Sequence, residues 1–379
     1  MVENFLDVDK QMKIKTITCH NVYNVGASLQ AYALASYLKS LNHEVEIIDY
    51  LPDYLVRHKL IGGVSDKYNY PLLKQMYYLA KFPGRLKERL SQRKKEFDRF
   101  TKQYLPLTAK RYSSNEELKN DPPDADVFFA GSDQIWNTLF PNGKDPAFYL
   151  DFVSDNAVKA SYAASFATKE IDQNYIPTVN HWLSNLDYIS VRERTGVDIV
   201  RQLEIENVTQ VLDPVFLLSA DQWKEIEKDL KIDEPYVLLY DFDNSETICE
   251  YALFYSRKHN CKIYSFLPSA VAERCFYQEG PAAFIYLINN ADLIISNSFH
   301  ATAFSVIFRK QFVVFNRSES INTRMADFIG ALDLSDRLVG VSNDPGENII
   351  DYSIVSHKLS EQIEHSKQYI NMVLESVGL

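Results

Sequence analysis

Hydrophobic and polar residues repeat along this chain with the periods of both strands and helices. The segment Lys13 to Cys19 alternates with the strand period, Gly26 to Leu41 places apolar residues on one helical face, and Glu44 to Asp49 alternates again. A strand, a helix and a strand in this order predict the start of a parallel sheet. The same sheet is predicted to include the short apolar runs 125–130, 160–164, 188–191 and 209–212.

A second series of strands and helices follows a break near residue 218. Ser219 and Gln222 have the spacing of a capping box, which predicts a helix that ends near the turn at Asp233. The segments after this turn again alternate between the two periods. They predict strands at 236–240, 262–266, 292–296 and 311–315 and helices at 246–259, 281–289 and 302–308.

These elements predict an α/β fold with two Rossmann-like domains that face each other across a cleft. Residues 1–11 have no periodicity and are predicted to be a lead-in, 12–218 the first domain and 219–350 the second. Residues 351–379 predict an amphipathic helix that packs back on the first domain. Because ligands of parallel sheets bind beyond the carboxyl ends of the strands, we expect the functional site there.

The composition excludes several classes of function. A formal net charge of −11 over 379 residues argues against a general nucleic-acid binder, because phosphate binding needs a broad basic surface. The four cysteines have no zinc-site spacing and are too few for a disulfide framework. The acidic start has no secretory pattern, and no apolar run reaches about 18 residues. We therefore predict a soluble cytoplasmic protein with reduced thiols and without a metal site.

The segment 291–308 carries the most specific candidate chemistry. A buried strand runs through Ser296 and Asn297 into an apolar helix that begins at Ser298, so that His300 lies in the first helical turn. Free N–H groups and the helix dipole favour a bound anion there, and an imidazole exchanges protons near neutral pH. The same spacing also fits a Ser298 that only caps the helix and a His300 that packs against a loop.

Arg192 is the second candidate, because its planar guanidinium follows a predicted strand and can hold a carboxylate or phosphate with two hydrogen bonds. Arg194 is its neighbour on the same turn. A surface salt bridge with Glu193 or a neighbouring acid fits the charge pattern equally well.

Two further strand ends carry polar residues. One of them carries Gly131, Ser132 and Asp133, where the backbone could approach a ligand closely and Trp136 would lie beneath a sugar ring. Alternatively, this segment forms a turn and Trp136 lies in the core. Asn24 follows the first strand in a loop that resembles a phosphate loop but has no Walker lysine. A helix N-cap explains Asn24 without any ligand.

The segment Lys81 to Arg111 has eleven basic residues against three acidic ones, with apolar residues at near-helical spacing. A basic amphipathic helix of this kind can contact an anionic membrane surface, which would place the protein at the inner membrane face. Alternatively, its apolar face is buried and its basic face is solvated.

Six motifs follow one another along the chain: NVGASLQAYALASYLKSLNHEVEIIDY, GSDQIWN, SYAASF, ISVRERTG, VLDP and SFHATAFSVIF. In this order they resemble the motifs of the polysaccharide pyruvyl transferase family, a family of bacterial enzymes. The resemblance spans Lys13 to Phe315. It implies a fold like that of GT-B glycosyltransferases and the transfer of a carboxyethylidene group from phosphoenolpyruvate to two hydroxyls of a sugar. The acceptor would belong to a cell-surface or capsular polysaccharide precursor, and no cofactor is implied.

Matched motif by motif, the resemblance implies catalytic roles for three residues and binding roles for others. The catalytic residues are His300, Arg192 and Asp133. The donor would be bound by Arg192, Asn297, Ser298, Arg317 and Arg324. The acceptor would be bound by Asn24, Gly26, Gln30, Ser132 and Trp136.

The chain departs from the family pattern at two positions beside the histidine. Ala301 stands where the family often has Gly, and Ser298 stands where some members have Arg. Arg317 or Arg324 would have to replace that arginine, unless the donor differs. Two other functions therefore stay open: a GT-B glycosyltransferase that uses a nucleotide sugar, and a relative that binds glycans without turnover.

Overall fold

The computed structural model describes residues 11–56, 84, 86, 88–317, 323–339 and 348–378, with no side-chain description for residues 323 and 324. Residues 11–56 and 88–317 hold both predicted sheets. The strands are β1 (Lys13–Ile17), β2 (Glu44–Tyr50), β3 (Leu107–Tyr112), β4 (Val127–Ala130), β5 (Val158–Ser161), β6 (Ile189–Val191), β7 (Val208–Gln210), β8 (Tyr236–Tyr240), β9 (Lys262–Ser265), β10 (Arg274–Cys275), β11 (Leu293–Ser296) and β12 (Gln311–Val314).

The helices named below are numbered in chain order. They are α1 (Val25–Ser40), α2 (Gln92–Tyr104), α3 (Asn115–Asn120), α4 (Ile176–Leu183), α5 (Arg194–Gln202), α6 (Ala220–Lys224), α7 (Glu246–His259), α8 (Pro281–Asn290), α9 (Phe299–Ile307), α10 (Thr323–Ala331) and α11 (Tyr352–Glu375).

The first domain is built on a parallel sheet in the order β3-β2-β1-β4-β5. The ribbon β6-β7 extends this sheet through the bridges Ala160 to Tyr188 and Ala164 to Val191. The predicted unit of strand, helix and strand is confirmed as β1-α1-β2, with β1 and β2 paired in parallel. β3 was not predicted, because most of its residues are partly or fully exposed and it lies at the edge of the sheet.

The second domain repeats this architecture in the order β10-β9-β8-β11-β12, again with parallel pairing. All four strands predicted from the sequence are present, and the two-residue edge strand β10 was too short to predict. The Ser219 capping box is confirmed, with Gln222 closing it. The helix that it begins, α6, ends at Lys224, so the prediction that it continues to near Asp233 was wrong.

Helix α1 lies where the two domains meet. The sequence predicted one apolar face, but the structure also buries residues on the other side of the helix, including Leu29 and Ala33. α1 contacts both the 3-10 helix Pro214–Leu217 and the second-domain helix α8. One hydrophobic core therefore runs through residues of both domains.

The C-terminal helix α11 packs on both domains, as predicted for the first. At its start, the Tyr352 hydroxyl donates to the Lys310 carbonyl of the second domain, at 2.5 Å. Near its end, the Tyr369 hydroxyl donates to the Ser161 carbonyl of the first domain, at 2.9 Å. The helix thus connects the two domains along one side.

The basic segment predicted as a membrane contact is described from residue 84 with gaps. Helix α2 buries Phe97 and Phe100 in the protein core and packs on α8. Its apolar face is therefore used inside the protein, as in the alternative interpretation, while Leu86 and Leu90 before it are exposed. Among the described residues, no helix combines the length and the apolar character needed to cross a membrane.

Candidate functional site

The carboxyl ends of both sheets open into one cleft between the domains. The segments after β1 and β4 line it from the first domain, and those after β8, β11 and β12 line it from the second. This is the position expected for a ligand site in parallel sheets. Its lining residues are Asn24, Gly26, Asp133, Gln134, Tyr240, Phe242, Asn297, Ser298, Phe299, His300, Phe315, Arg317 and Met325.

Two helix N-termini meet in this cleft. Asn24 caps α1 by accepting from the Ala27 N–H at 3.2 Å, which confirms its predicted capping role. Ser298 caps α9 in the same way. Both first turns direct unpaired N–H groups and the positive ends of helix dipoles towards the cleft, which favours a bound anion.

His300 lies between these two helix ends. Its side chain is only 12% exposed, and its ring packs edge to face against Phe299. The ring packs against Gly26 so closely that a Cβ there would lie over the face of the ring, 2.0 Å from Nδ1, 2.3 Å from Cε1 and 2.5 Å from Cγ. Gly26 is therefore needed because it leaves room for the imidazole. Nε2 lies 3.6 Å from Oδ2 of Asp213 and has no hydrogen-bond partner among the described residues.

Arg192 is buried and pairs with two carboxylates. Its Nη1 donates to Asp213 Oδ2 at 2.5 Å, and its Nη2 lies 3.4 Å from Asp133 Oδ1. Its guanidinium also lies over the Phe299 ring, at 5.0 Å. A salt bridge at the surface with Glu193 is therefore wrong, because Arg192 is buried and Glu193 accepts hydrogen bonds from Ser165, Phe166 and Ala167 in the loop after β5. The pairing of Arg192 with other acids agrees with the interpretation as an ion pair.

Asp213 joins the two candidates, and the sequence analysis gave it no catalytic or binding role. It is fully buried, and its Oδ1 accepts from the Val215 N–H at 3.1 Å. Burial alone would raise the pKa of Asp213, but His300 and Arg192 lower it below its ordinary value. Its place after the last strand of the first domain, in the motif VLDP, was the available signal.

Arg192 and Asp213 face a second hollow beside the main cleft. Phe299 lines both spaces, so the hollow and the cleft share one wall. The remaining lining residues are Gln210, Val211, Leu212, Asp327, Phe328, Ala331, Gln362 and His365.

Gln30 and Ser132 do not line the cleft, contrary to their predicted place in the acceptor site. Both are fully buried. Gln30 donates to the Thr18 hydroxyl and accepts from the Ser132 N–H, at 2.9 and 3.0 Å. The Ser132 hydroxyl donates to the Ala163 carbonyl at 2.6 Å. Their polar atoms are therefore used in holding the turn that presents Asp133, which has a positive φ of 73°.

Trp136 was predicted to support a sugar ring, and the structure contradicts this. The side chain is fully buried, stacks on Tyr149 and donates its indole N–H to the Phe148 carbonyl at 3.0 Å. The alternative, a core tryptophan, is correct. Gln134, two residues earlier, lines the cleft instead and was not predicted.

The predicted donor residues divide into two groups. Asn297, Ser298 and Arg317 line the cleft beside His300, whereas the side chain of Arg324 lies outside the described residues. The Asn297 amide donates to Asp241 at 2.7 Å and accepts from the Phe242 N–H, so it supports the cleft wall. The side chain of Arg317 is 23% exposed, over the Phe242 ring.

Within the described parts of the chain, no group of three His, Cys, Asp or Glu side chains could hold a metal ion.

Comparisons with known proteins agree on the fold and indicate a family. A family model described as polysaccharide pyruvyl transferase matches residues 24–319. No curated protein matches the chain. A UDP-N-acetylglucosamine 2-epimerase candidate from Listeria monocytogenes superposes with a TM-score of 0.51 at 8% identity, over 96% of this chain and 91% of that one.

Two other solved structures align over nearly the whole chain. A glycosyltransferase from Rickettsia africae has a TM-score of 0.48 at 11% identity, over 97% of this chain and 100% of that one. The UDP-GlcNAc 2-epimerase of Methanocaldococcus jannaschii has a TM-score of 0.47 with the same identity and coverage. At such identities a likeness concerns the fold alone. With the two parallel sheets and the Listeria structure, the predicted α/β fold of two Rossmann-like domains, arranged as in GT-B enzymes, is confirmed.

Proposed function

This chain belongs to the polysaccharide pyruvyl transferase family, and we propose that it transfers a pyruvyl group from phosphoenolpyruvate to a sugar, forming a ketal. The observation that carries the proposal is the position of His300 between two helix N-termini in the cleft. Such a site combines a proton donor with a binding place for an anion.

The donor would be held mainly by the two helix ends and Arg317. Phosphoenolpyruvate carries a carboxylate and a phosphate, and both suit unpaired N–H groups and a guanidinium. Arg192 is already paired with Asp133 and Asp213, so its charge is largely neutralised. Arg317, whose Nε lies 3.6 Å from Asp243 Oδ1, lines the cleft beside Ser298 and would supply the guanidinium that some relatives have at that position.

The reaction would proceed in two additions. A proton from His300 adds to the methylene carbon of the enol, and a sugar hydroxyl attacks the neighbouring carbon. Phosphate then leaves, and a second hydroxyl closes the ketal. Of the two protons released by the hydroxyls, one returns to His300 and one leaves with phosphate. Asp133, which is 21% exposed and lines the cleft, would accept the hydroxyl proton before passing it on.

The decisive test is phosphate release from phosphoenolpyruvate with a panel of lipid-linked and nitrophenyl sugars. We expect one acceptor to give stoichiometric phosphate and a product heavier by one carboxyethylidene group. His300→Ala should abolish turnover while the protein stays folded, because His300 lies in the cleft wall and not in the core. An unaltered rate in this variant would remove His300 from the mechanism.

The same preparation separates the two other functions. A nucleotide-sugar glycosyltransferase would be protected against heat by a uridine or guanosine diphosphate sugar and not by phosphoenolpyruvate. A glycan-binding protein would bind the acceptor in calorimetry and release no phosphate.

A further inference from the structure

We infer that the hollow beside the cleft binds the acceptor sugar, while the cleft around His300 holds the donor. The inference deepens the proposed function and rests on it for the identity of the two substrates. It gives a ligand to a space whose lining residues, apart from Arg192, have no predicted role.

The first argument is the size of the two spaces. The cleft has a volume of about 130 Å³, and the hollow has a volume of about 330 Å³. Sites for small molecules ordinarily measure about 300–1,000 Å³. The cleft therefore suits a ligand of few atoms, such as phosphoenolpyruvate, and has no room for a sugar ring beside it. The hollow reaches the size of a small-molecule site.

The second argument is that the cleft offers few contacts to a sugar. Gln30, Ser132 and Trp136 were predicted to bind the acceptor, but all three are fully buried and do not line the cleft. Of the other two predicted residues, Asn24 caps α1 and Gly26 packs against the ring of His300. The acceptor therefore needs contacts outside the cleft.

The third argument is the chemistry of the wall of the hollow. Phe299 and Phe328 line it and meet edge to face, with ring centroids 5.6 Å apart. Aromatic surface with a few polar groups is typical of small-molecule sites, and it suits the C–H faces of a sugar ring. Gln210 and Gln362 supply the polar groups, and each donates a long bond of 3.4 Å to a backbone carbonyl. An amide has two donors and an acceptor oxygen, so each keeps capacity for a sugar hydroxyl.

The charges on this wall favour a neutral ligand over an anion. Asp213 and Asp327 place two carboxylates there, against the guanidinium of Arg192. Carboxylates accept from sugar hydroxyls but repel a phosphate. The buried Nε of Arg192 has no hydrogen-bond partner among the described residues, so it can donate to a hydroxyl. The anionic donor and the neutral sugar would thus be separated by charge.

The hollow lies directly beside the proposed reacting groups. Phe299 lines both spaces. Arg192, in the wall of the hollow, lies with its Nη2 3.4 Å from Oδ1 of Asp133, which lines the cleft. A sugar in the hollow would therefore be one guanidinium away from Asp133, the proposed acceptor of the hydroxyl proton.

Two variants change the hollow without changing a group proposed for catalysis. Ala331 is the last residue of α10, and in Ala331→Trp the indole would occupy space needed by the sugar. Gln362→Ala removes one of the amides on α11. The matched controls are Ala326→Trp and Gln368→Ala, the same substitutions at exposed positions of the same two helices, outside the cleft and the hollow.

The first measurement is calorimetric binding of the nitrophenyl sugar panel, and separately of phosphoenolpyruvate, to the full-length protein. We expect Ala331→Trp to weaken sugar binding by about 10-fold or more and Gln362→Ala to weaken it by about 2- to 10-fold. Both variants should bind phosphoenolpyruvate as the wild type does, and both controls should keep the full affinity for the sugar.

Three outcomes would overturn the inference. The first is an unchanged sugar affinity in Ala331→Trp and Gln362→Ala. The second is an equal loss of affinity for phosphoenolpyruvate and for the sugar in both variants, because it would indicate a distorted cleft. The third is a wild type that binds no sugar of the panel.

The second measurement is kinetic, with the acceptor that gives the fastest release of phosphate. Ala331→Trp should raise the KM for the sugar by about 10-fold or more and leave kcat and the KM for phosphoenolpyruvate unchanged, because it removes binding and not catalysis. An unchanged KM for the sugar would contradict the inference. A wild type that binds a sugar in the hollow but releases no phosphate would reject the proposed function and leave the hollow as a sugar site, so the two failures can be told apart.

Discussion

Gly26→Ala is expected to abolish activity by displacing His300. The added Cβ would meet Nδ1, Cε1 and Cγ of the ring at 2.0, 2.3 and 2.5 Å, whereas carbon atoms in contact are ordinarily about 3.5–4.0 Å apart. The ring must therefore retreat by at least about 1 Å, and a displacement of that size costs about 100-fold in rate. The assay is phosphate release, with kcat and KM measured separately.

The stability of the same variant gives an independent measure of the contact. Alanine is favoured over glycine in a helix by about 0.5–1 kcal/mol, but overpacking costs about 1–3 kcal/mol. The unfolding free energy of Gly26→Ala should therefore fall. In a His300→Ala background the methyl group has room, and the same substitution should be neutral or stabilising. This reversal of sign identifies His300 as the group that Gly26 accommodates.

Gly330→Ala is the matched control. It makes the same substitution in helix α10, where the new Cβ would lie 3.7 Å from the Ser335 hydroxyl, an ordinary contact. Its activity should equal that of the wild type. If Gly26→Ala kept more than a tenth of the wild-type kcat, the close packing of His300 on α1 would be refuted.

Four further outcomes follow from the described contacts. Trp136→Ala should lower the unfolding free energy by about 3–5 kcal/mol in urea denaturation. A variant that kept its full stability but lost affinity for the acceptor would instead support the sugar contact predicted for Trp136. Tyr369→Phe should cost about 1 kcal/mol by removing the bond to Ser161; an unchanged urea midpoint would contradict this. Arg317→Ala should weaken phosphoenolpyruvate binding in calorimetry, and equal affinity would exclude it from the donor site. Folding lowers the pKa of Asp213, so the ionised carboxylate stabilises the folded protein at pH values above its unfolded pKa of about 3.9. This stabilisation is lost as the pH falls below that pKa. The difference in unfolding free energy between the wild type and Asp213→Asn should therefore be smaller at about pH 3 than at about pH 5, each about one unit from the unfolded pKa.

The sequence predicted both sheets because buried parallel strands appear as short apolar runs between helical segments. It also placed His300 correctly, since a strand that runs directly into a helix defines the position of the first turn. The edge strand β3 escaped this reasoning because most of its residues are partly or fully exposed. Periodicity identifies buried elements more readily than exposed ones.

The partners within the site could not be predicted, because they come from distant parts of the chain. Trp136 illustrates the difficulty: an aromatic residue after a strand suits a core and a sugar site equally, and only its stacking on Tyr149 decides. The need for a glycine at position 26 could not be predicted either, because it arises from the ring of His300, which belongs to the other domain. Local patterns thus identify candidate residues, while long-range packing assigns their roles.

The burial of α1 on all sides has a consequence for how this protein can be divided. A first domain produced alone would lose the contact between α1 and α8 and expose apolar surface of α1, a patch that promotes aggregation. α11 would likewise lose one of its two attachment surfaces. The halves are therefore not interchangeable modules, because each covers apolar surface of the other and neither completes the shared core alone.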